Sequence, residues 1–212
     1  TELPGSRPIE FEPELGEDFG QLREWPRENV VKLLVFCHPD DDVDTKKTQE
    51  ERVKRLFTAA RRNDLEFLLE VIPSKVGPVD DMTTPKLIQQ FYDVGVYPDW
   101  WKLEPFKTDA AWSNAVEAIE RNDSRTRGIV VLGLDAPQSE LAASFALAAR
   151  QPLVKGFAVG RTIFGDAARA WMQNEMSDAD AVDHMAARFA GLCDVWDAAR
   201  VDARLNREKA NG

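Results

Sequence analysis

Short, β-branched apolar runs alternate with amphipathic stretches, and no other feature of this chain constrains its fold as tightly. The runs are Val30-Val31-Lys32-Leu33-Leu34-Val35-Phe36-Cys37, Glu66-Phe67-Leu68-Leu69-Glu70-Val71-Ile72, the segment around Lys102, Gly128-Ile129-Val130-Val131-Leu132-Gly133-Leu134 and Leu153-Val154-Lys155-Gly156-Phe157-Ala158-Val159-Gly160. Between them, residues 46–63 carry Val53, Leu56, Phe57 and Ala60 at helical spacing, and 84–94 carry Leu87, Ile88 and Phe91. Residues 110–121 place Trp112, Val116 and Ile119 the same way, and 139–149 form an alanine-rich helix. A further helix is expected to begin near Asp166. Another spans 179–200, with Val182, Met185, Phe189, Leu192 and Trp196 in line.

Each strand-plus-helix unit runs about 25–35 residues, as parallel βα units do. The runs are apolar nearly throughout, as when both faces of a sheet are covered. The fold class is therefore α/β, a TIM (β/α)8-type barrel. A whole barrel has eight strands and typically ~250 residues. This chain has 212 and supplies five runs, plus a short sixth at 8–12 where Ile9-Glu10-Phe11-Glu12 alternates apolar and acidic. A barrel lacking its first one or two βα units fits that count, and an open sheet is the alternative. Residues 1–29 form an N-terminal segment, 30–200 the barrel portion, and 201–212 a polar tail expected to fray.

Composition narrows the function. A net charge of -10 sets up a field that repels phosphates, which argues against nucleic-acid partners. A small anion in a locally basic pocket remains compatible with it. Cys37 and Cys193 make no disulfide framework, as in a reduced cytosol. No apolar run reaches the length of a membrane span, and the opening Thr1-Glu2-Leu3-Pro4 has no signal-peptide character. The expectation is a soluble, cytoplasmic protein with no membrane partner.

The chemistry is expected at the carboxyl ends of the strands. Lys102 lies in Tyr97-Pro98-Asp99-Trp100-Trp101-Lys102-Leu103-Glu104-Pro105, a bulky run between strand-delimiting prolines. Enclosure strips an ammonium of hydration and favours the neutral amine, which attacks carbonyls to form imines. A lone lysine near a strand end is more often a snorkelling surface residue, so its neighbours decide. Lys32, Glu70 and Lys102 put one charge each into three consecutive apolar strands. Unpaired burial is costly, so the three are expected to face one another, with Lys32 as a second ammonium beside Lys102 and Glu70 as proton carrier. A buried pair that only fixes strand register is the bland alternative. Trp100 and Trp101 should point to opposite faces of the strand.

After the last strand comes Gly160-Arg161-Thr162-Ile163-Phe164-Gly165. Loops at that place in a barrel bind phosphate through backbone N–H groups and the start of a helix. Arg161 adds a bidentate donor, and Gly133, ending the preceding strand, lets a phosphate approach the backbone. His38-Pro39-Asp40-Asp41 resembles the metal motif of zinc-dependent sugar deacetylases. Zinc catalysis uses three protein ligands, and the other histidine, His184, lies in an amphipathic helix. The alternative is a polar loop at the barrel mouth, Asp40–Asp42 capping the next helix. No metal or other cofactor is expected.

Four segments together resemble one family: Leu3-Pro4-Gly5-Ser6-Arg7-Pro8, Phe36-Cys37-His38-Pro39-Asp40-Asp41-Asp42, Tyr97-Pro98-Asp99-Trp100-Trp101-Lys102, and Val154 through Gly165. They look like the aldolase-like C-terminal domain fused to 5-dehydro-2-deoxygluconokinase in bacterial myo-inositol catabolism, over nearly the whole chain to about Arg200. That domain is similar to class I aldolases of the tagatose-bisphosphate type, which are (β/α)8 barrels. The resemblance implies cleavage of 2-deoxy-5-keto-gluconate 6-phosphate to dihydroxyacetone phosphate and malonate semialdehyde. It also implies a fused or associated carbohydrate kinase; a homo-oligomer is the expected assembly. Lys102 matches the imine-forming lysine, Lys32 and Glu70 the charged pair beside it, and Arg161 the phosphate-binding arginine. Gly133, followed by Gly160 after the next strand, stands where the aldolases usually place a phosphate-touching serine. Their Asp-rich motif at the end of the first strand has no counterpart here. A non-catalytic phosphosugar-binding domain associated with a kinase is the alternative.

Overall fold

The five longer apolar runs become strands and the amphipathic stretches helices in the computed structural model, which describes residues 1–133 and 138–210. In chain order the elements are β1 (Val30–Val35), α1 (Val43–Arg62), β2 (Glu66–Val71), α2 (Thr83–Asp93), β3 (Trp100–Leu103) and α3 (Asp109–Asn122). There follow β4 (Gly128–Leu132), α4 (Gln138–Ala148), β5 (Val154–Ala158), α5 (Arg161–Met172) and α6 (Asp178–Ala210). The strands form one sheet in the order β1-β2-β3-β4-β5. β1, β2 and β3 run parallel, in a register that sets Leu34 beside Glu70 and Glu70 beside Lys102. The chain divides into two compact units, Thr1–Leu103 with Ala110–Ile129, and Glu104–Asp109 with Val130–Gly212.

Three expectations are corrected. Residues 8–12 make no strand: Phe11 forms a single antiparallel bridge to Glu2, and a 3-10 turn follows at Pro13–Leu15. Pro8 and Pro13 flank the stretch, and neither has the N–H that a ladder needs. α5 begins at Arg161, directly after β5, rather than near Asp166. The polar tail is helical through Ala210, because Ala203 is buried and Arg207 reaches the carbonyl of Arg150. Leu134, the expected end of the fourth strand, lies outside the described residues.

In the first unit the strands have two unlike faces. Val31, Leu33, Val35, Phe67, Leu69, Val71, Trp101 and Leu103 are sealed from solvent. α1 and α2 cover them, with Phe57 edge-on to Phe67 at 5.5 Å and Phe91 6.4 Å from Trp101. The Trp101 indole N–H donates to the Tyr92 hydroxyl, so its one polar atom is satisfied. Burying each such side chain contributes about 1.5–3 kcal/mol. The opposite face carries Lys32, Leu34, Leu68, Glu70, Trp100 and Lys102, and of these only Glu70 is buried. Alternation thus splits Trp100 from Trp101 as expected. A slip of one residue would exchange the faces and drive charges beneath the helices.

Asp99 guards against that slip. Its carboxylate accepts the Phe67 N–H at 2.7 Å and pairs with Arg61 at 2.8 Å, and its carbonyl accepts the Arg127 N–H. One residue thereby ties the start of β3 to β2 and to the entry of β4.

In the second unit Phe145 of α4 stacks on Phe157 of β5 at 4.9 Å, and Trp196 of α6 meets Phe145 edge-on. Arg200 lies over Trp196 and donates to the carbonyls of Ala149 and Gln151. Leu192 and Trp196 of the expected α6 stripe are buried, while Val182 and Phe189 are exposed.

Asp99→Ala should lower unfolding free energy by about 2 kcal/mol, since it strands a backbone N–H and an arginine. Urea unfolding checks this, and Asp99→Asn, which retains an acceptor, should lose less.

Candidate active site

Adjacent strands and an even-numbered register bring Lys32, Glu70 and Lys102 together. Oε2 of Glu70 is 3.3 Å from Nζ of Lys32 and 3.3 Å from Nζ of Lys102. The side chains are graded in exposure, at 3% for Glu70, 17% for Lys102 and 38% for Lys32. That oxygen makes no directed hydrogen bond, although it is buried. It is held by the charge of the two lysines.

A fourth member was not expected from the sequence. Glu2 reaches back so that its Oε1 lies 2.6 Å from Nζ of Lys32, and the Thr1 hydroxyl donates to its Oε2 at 2.9 Å. Burial by itself would raise the Glu2 carboxyl. The hydrogen bond and charge of Lys32, with the Thr1 hydroxyl, outweigh burial and hold it below the ordinary value of 4.5. Two ammonium groups therefore face two carboxylates. Lys32 does not act on Lys102 as an uncompensated second cation, because Glu2 balances it. Glu2 carries no periodic signal, since its partner lies a whole segment away. The apolar–acidic alternation lies instead at residues 9–12, whose Phe11 backs the Glu2 bridge.

Gly133, Gly160 and Arg161 belong to the second unit. Gly160 caps α5, accepting the N–H groups of Ile163 and Phe164 at 2.8 and 3.2 Å, and Arg161 begins the helix with an exposed side chain. Gly133 is brought up to this turn. A Cβ placed there would lie 2.6 Å from Cγ1 of Val159 and 3.5 Å from Oγ1 of Thr162. Close approach of Val159 leaves no room for a side chain at position 133.

His38 is almost buried in the loop after β1. Its Nε2 lies 2.9 Å from the Pro78 carbonyl, and its Nδ1 lies 3.2 Å from the Asp40 N–H. The tautomer with hydrogen on Nε2 satisfies both contacts. Asp41 accepts the His38 N–H and pairs with Arg7. Asp42 caps α1 by accepting from the Thr45 N–H and hydroxyl, which hold its carboxyl low. The loop's polar groups are thus spent on its own architecture. His184 is half-buried on α6, with Nδ1 lacking a hydrogen-bond partner. Among the described residues no three His, Cys, Asp or Glu side chains are grouped to hold a metal ion. A cleft of about 600 Å³ in the first unit is lined by Phe11, Phe19, Arg52 and Arg55, and includes none of the residues discussed as chemical. Among the described residues no helix is long and apolar enough to cross a membrane.

The sheet and its helices define an α/β protein with five parallel strands in one sheet, a TIM-barrel-like fold. A fructose-bisphosphate aldolase from Plasmodium falciparum, solved with TRAP and a small-molecule inhibitor, superposes with a TM-score of 0.56 at 14% identity. The match covers 84% of this chain and 57% of that one. This chain belongs to DUF2090, a family described as uncharacterized proteins conserved in bacteria, whose model matches residues 1–200. No curated protein matches it in sequence.

Because the Glu2 carboxyl is held low, its ionised form stabilises the fold above pH 4.5, and that contribution fades as the pH falls through the lower folded value. Glu2→Gln should therefore show a shallower loss of Tm than the parent chain as pH drops below 4.5. For Gly133→Ala the expected cost is about 1–3 kcal/mol from overpacking, partly recovered when Val159→Ala is added. Thermal denaturation of the single and double variants reads both.

Proposed function

We propose that this chain is the aldolase domain of an imine-forming enzyme acting on a phosphorylated keto sugar acid. The observation that carries the reading is an enclosed amine, Lys102, set against a buried carboxylate oxygen that has no directed hydrogen bond. In this reaction the neutral Lys102 amine adds to the substrate ketone, and Glu70 accepts and returns protons with Lys32 as the carbinolamine loses water. The iminium then withdraws the electron pair of the bond between its α and β carbons; the β-hydroxyl gives up its proton to Glu70, the β carbon departs as the aldehyde product, and the α carbon is left as an enamine. Protonation and hydrolysis release the ketone product and restore the lysine. Arg161, with the backbone at Gly160 and Gly133, is assigned to the substrate phosphate on the strength of the family resemblance and the helix that starts there. The same resemblance supports 2-deoxy-5-keto-gluconate 6-phosphate as substrate, dihydroxyacetone phosphate and malonate semialdehyde as products, and a carbohydrate kinase as fused or associated partner.

A second reading has its own observation. Glu2, Lys32, Glu70 and Lys102 balance in charge, as a network that only fixes strand register would. In that case the domain binds phosphosugar without turnover.

Borohydride added with dihydroxyacetone phosphate should leave a stable adduct on the peptide containing Lys102, and Lys102→Ala should abolish it. A folded chain with no adduct at any lysine rules out the aldolase. Calorimetry separates the second reading. Arg161→Ala should weaken phosphosugar binding about tenfold to a hundredfold, and binding without turnover would survive Lys102→Ala.

A further inference from the structure

The arm before β1 is built to deliver one carboxylate. Its backbone pairs with itself, Leu3 N–H to Glu10 carbonyl at 2.8 Å and Glu12 N–H to Thr1 carbonyl at 3.1 Å. It is then fastened to the first βα unit at several points. The N–H of Ile9, itself buried, donates to the buried Gln49 amide at 3.0 Å, and Gln49 donates in turn to the Phe36 carbonyl. Arg7 reaches that same carbonyl and Asp41, while Arg52 of α1 holds the Ile9 carbonyl. The Thr1 hydroxyl shares its one hydrogen between Glu2 and the carbonyl of Lys32. These anchors leave Glu2 over the open face of β1, where its bridge to Phe11 fixes the backbone.

From this geometry we infer that Glu2 is a positioning residue for the lysine–glutamate site, an inference that rests on the aldolase reading. At 2.6 Å, Glu2 is the closer partner of Lys32, against 3.3 Å for Glu70. Lys32 is thereby held at the edge of the site, and Glu70 is left to serve Lys102. Without Glu2, two ammonium groups compete for one carboxylate whose reactive oxygen has no hydrogen bond to orient it. The low Glu2 carboxyl accords with this, since the residue stays charged wherever the site works.

Two readouts on the full chain test this. The first needs no substrate: trace acetylation with acetic anhydride, quantified lysine by lysine by mass spectrometry, in parent, Glu2→Gln and Glu2→Asp. Withdrawing an opposite charge at contact distance favours the neutral amine, so Lys32 should label roughly tenfold faster in Glu2→Gln. Glu2→Asp should fall between. The second is the pH profile of borohydride trapping at Lys102. In Glu2→Gln its rise should move to lower pH and its plateau should drop about tenfold, the equivalent of one lost charge-assisted contact. A role confined to folding would leave that profile in place. Lys32 labelling within twofold of the parent in folded Glu2→Gln overturns the inference, as does an unchanged trapping profile. Altered Lys32 labelling with no adduct even in the parent overturns the aldolase reading alone and leaves Glu2 as the keeper of Lys32.

Discussion

One buried carboxylate oxygen, shared by two ammonium groups, sets the terms for the first unit. Glu70 sits on the central strand of three, with an apolar sheet face behind it and lysines on either side. Removing one member of such a buried set leaves an uncompensated charge and costs about 3–5 kcal/mol, whereas replacing the whole set by well-packed apolar residues is often neutral. Stability therefore does not by itself call for charges here. The apolar face already fixes the strands from the helical side, and Asp99 pins their register. What the charged face adds is two lysines beside a buried carboxylate on the side of the sheet opposite to α1 and α2.

Rigid support surrounds that pair. The strand bearing Lys102 is four residues long, too short to hold its register by ladder bonds alone. Trp101 and Leu103 anchor it from the helical side, and the Tyr92 hydroxyl fixes the Trp101 ring. Asp99 fastens its entry. The loop after β1 is locked through His38, Asp41, Asp42 and Arg7, so one neighbour of the central strand ends in a loop held by its own polar groups. Precise placement of a reacting amine needs locked neighbours of this kind.

Much of this was legible in the sequence, and the reasons are local. The βα alternation, the helical faces of α1 to α3, and the opposite orientation of Trp100 and Trp101 follow from periodicity, which only nearby residues determine. The meeting of Lys32, Glu70 and Lys102 was legible because parallel neighbours in a βα series place like positions side by side. Glu2 was not, since its partner is fixed by tertiary anchoring of an irregular arm. The same limit explains residues 8–12, where alternation pointed to a strand and two prolines allow only a bridge. The helical tail was missed because its polar surface hides a single buried contact at Ala203 and hydrogen bonds to a distant turn. At Gly133 the sequence suggests room for a phosphate at the backbone, and the structure adds a packing reason that no local pattern shows, since the neighbouring Val159 side chain occupies the place of a Cβ.

Exchange of the carbonyl oxygen of dihydroxyacetone phosphate with ¹⁸O-labelled water reports imine formation at equilibrium, without a trapping reagent and without carbon–carbon cleavage. The parent chain should accelerate that exchange well above the buffer rate, and Lys102→Ala should return it to the buffer rate. An exchange rate equal to buffer in the folded parent chain would contradict an imine at Lys102.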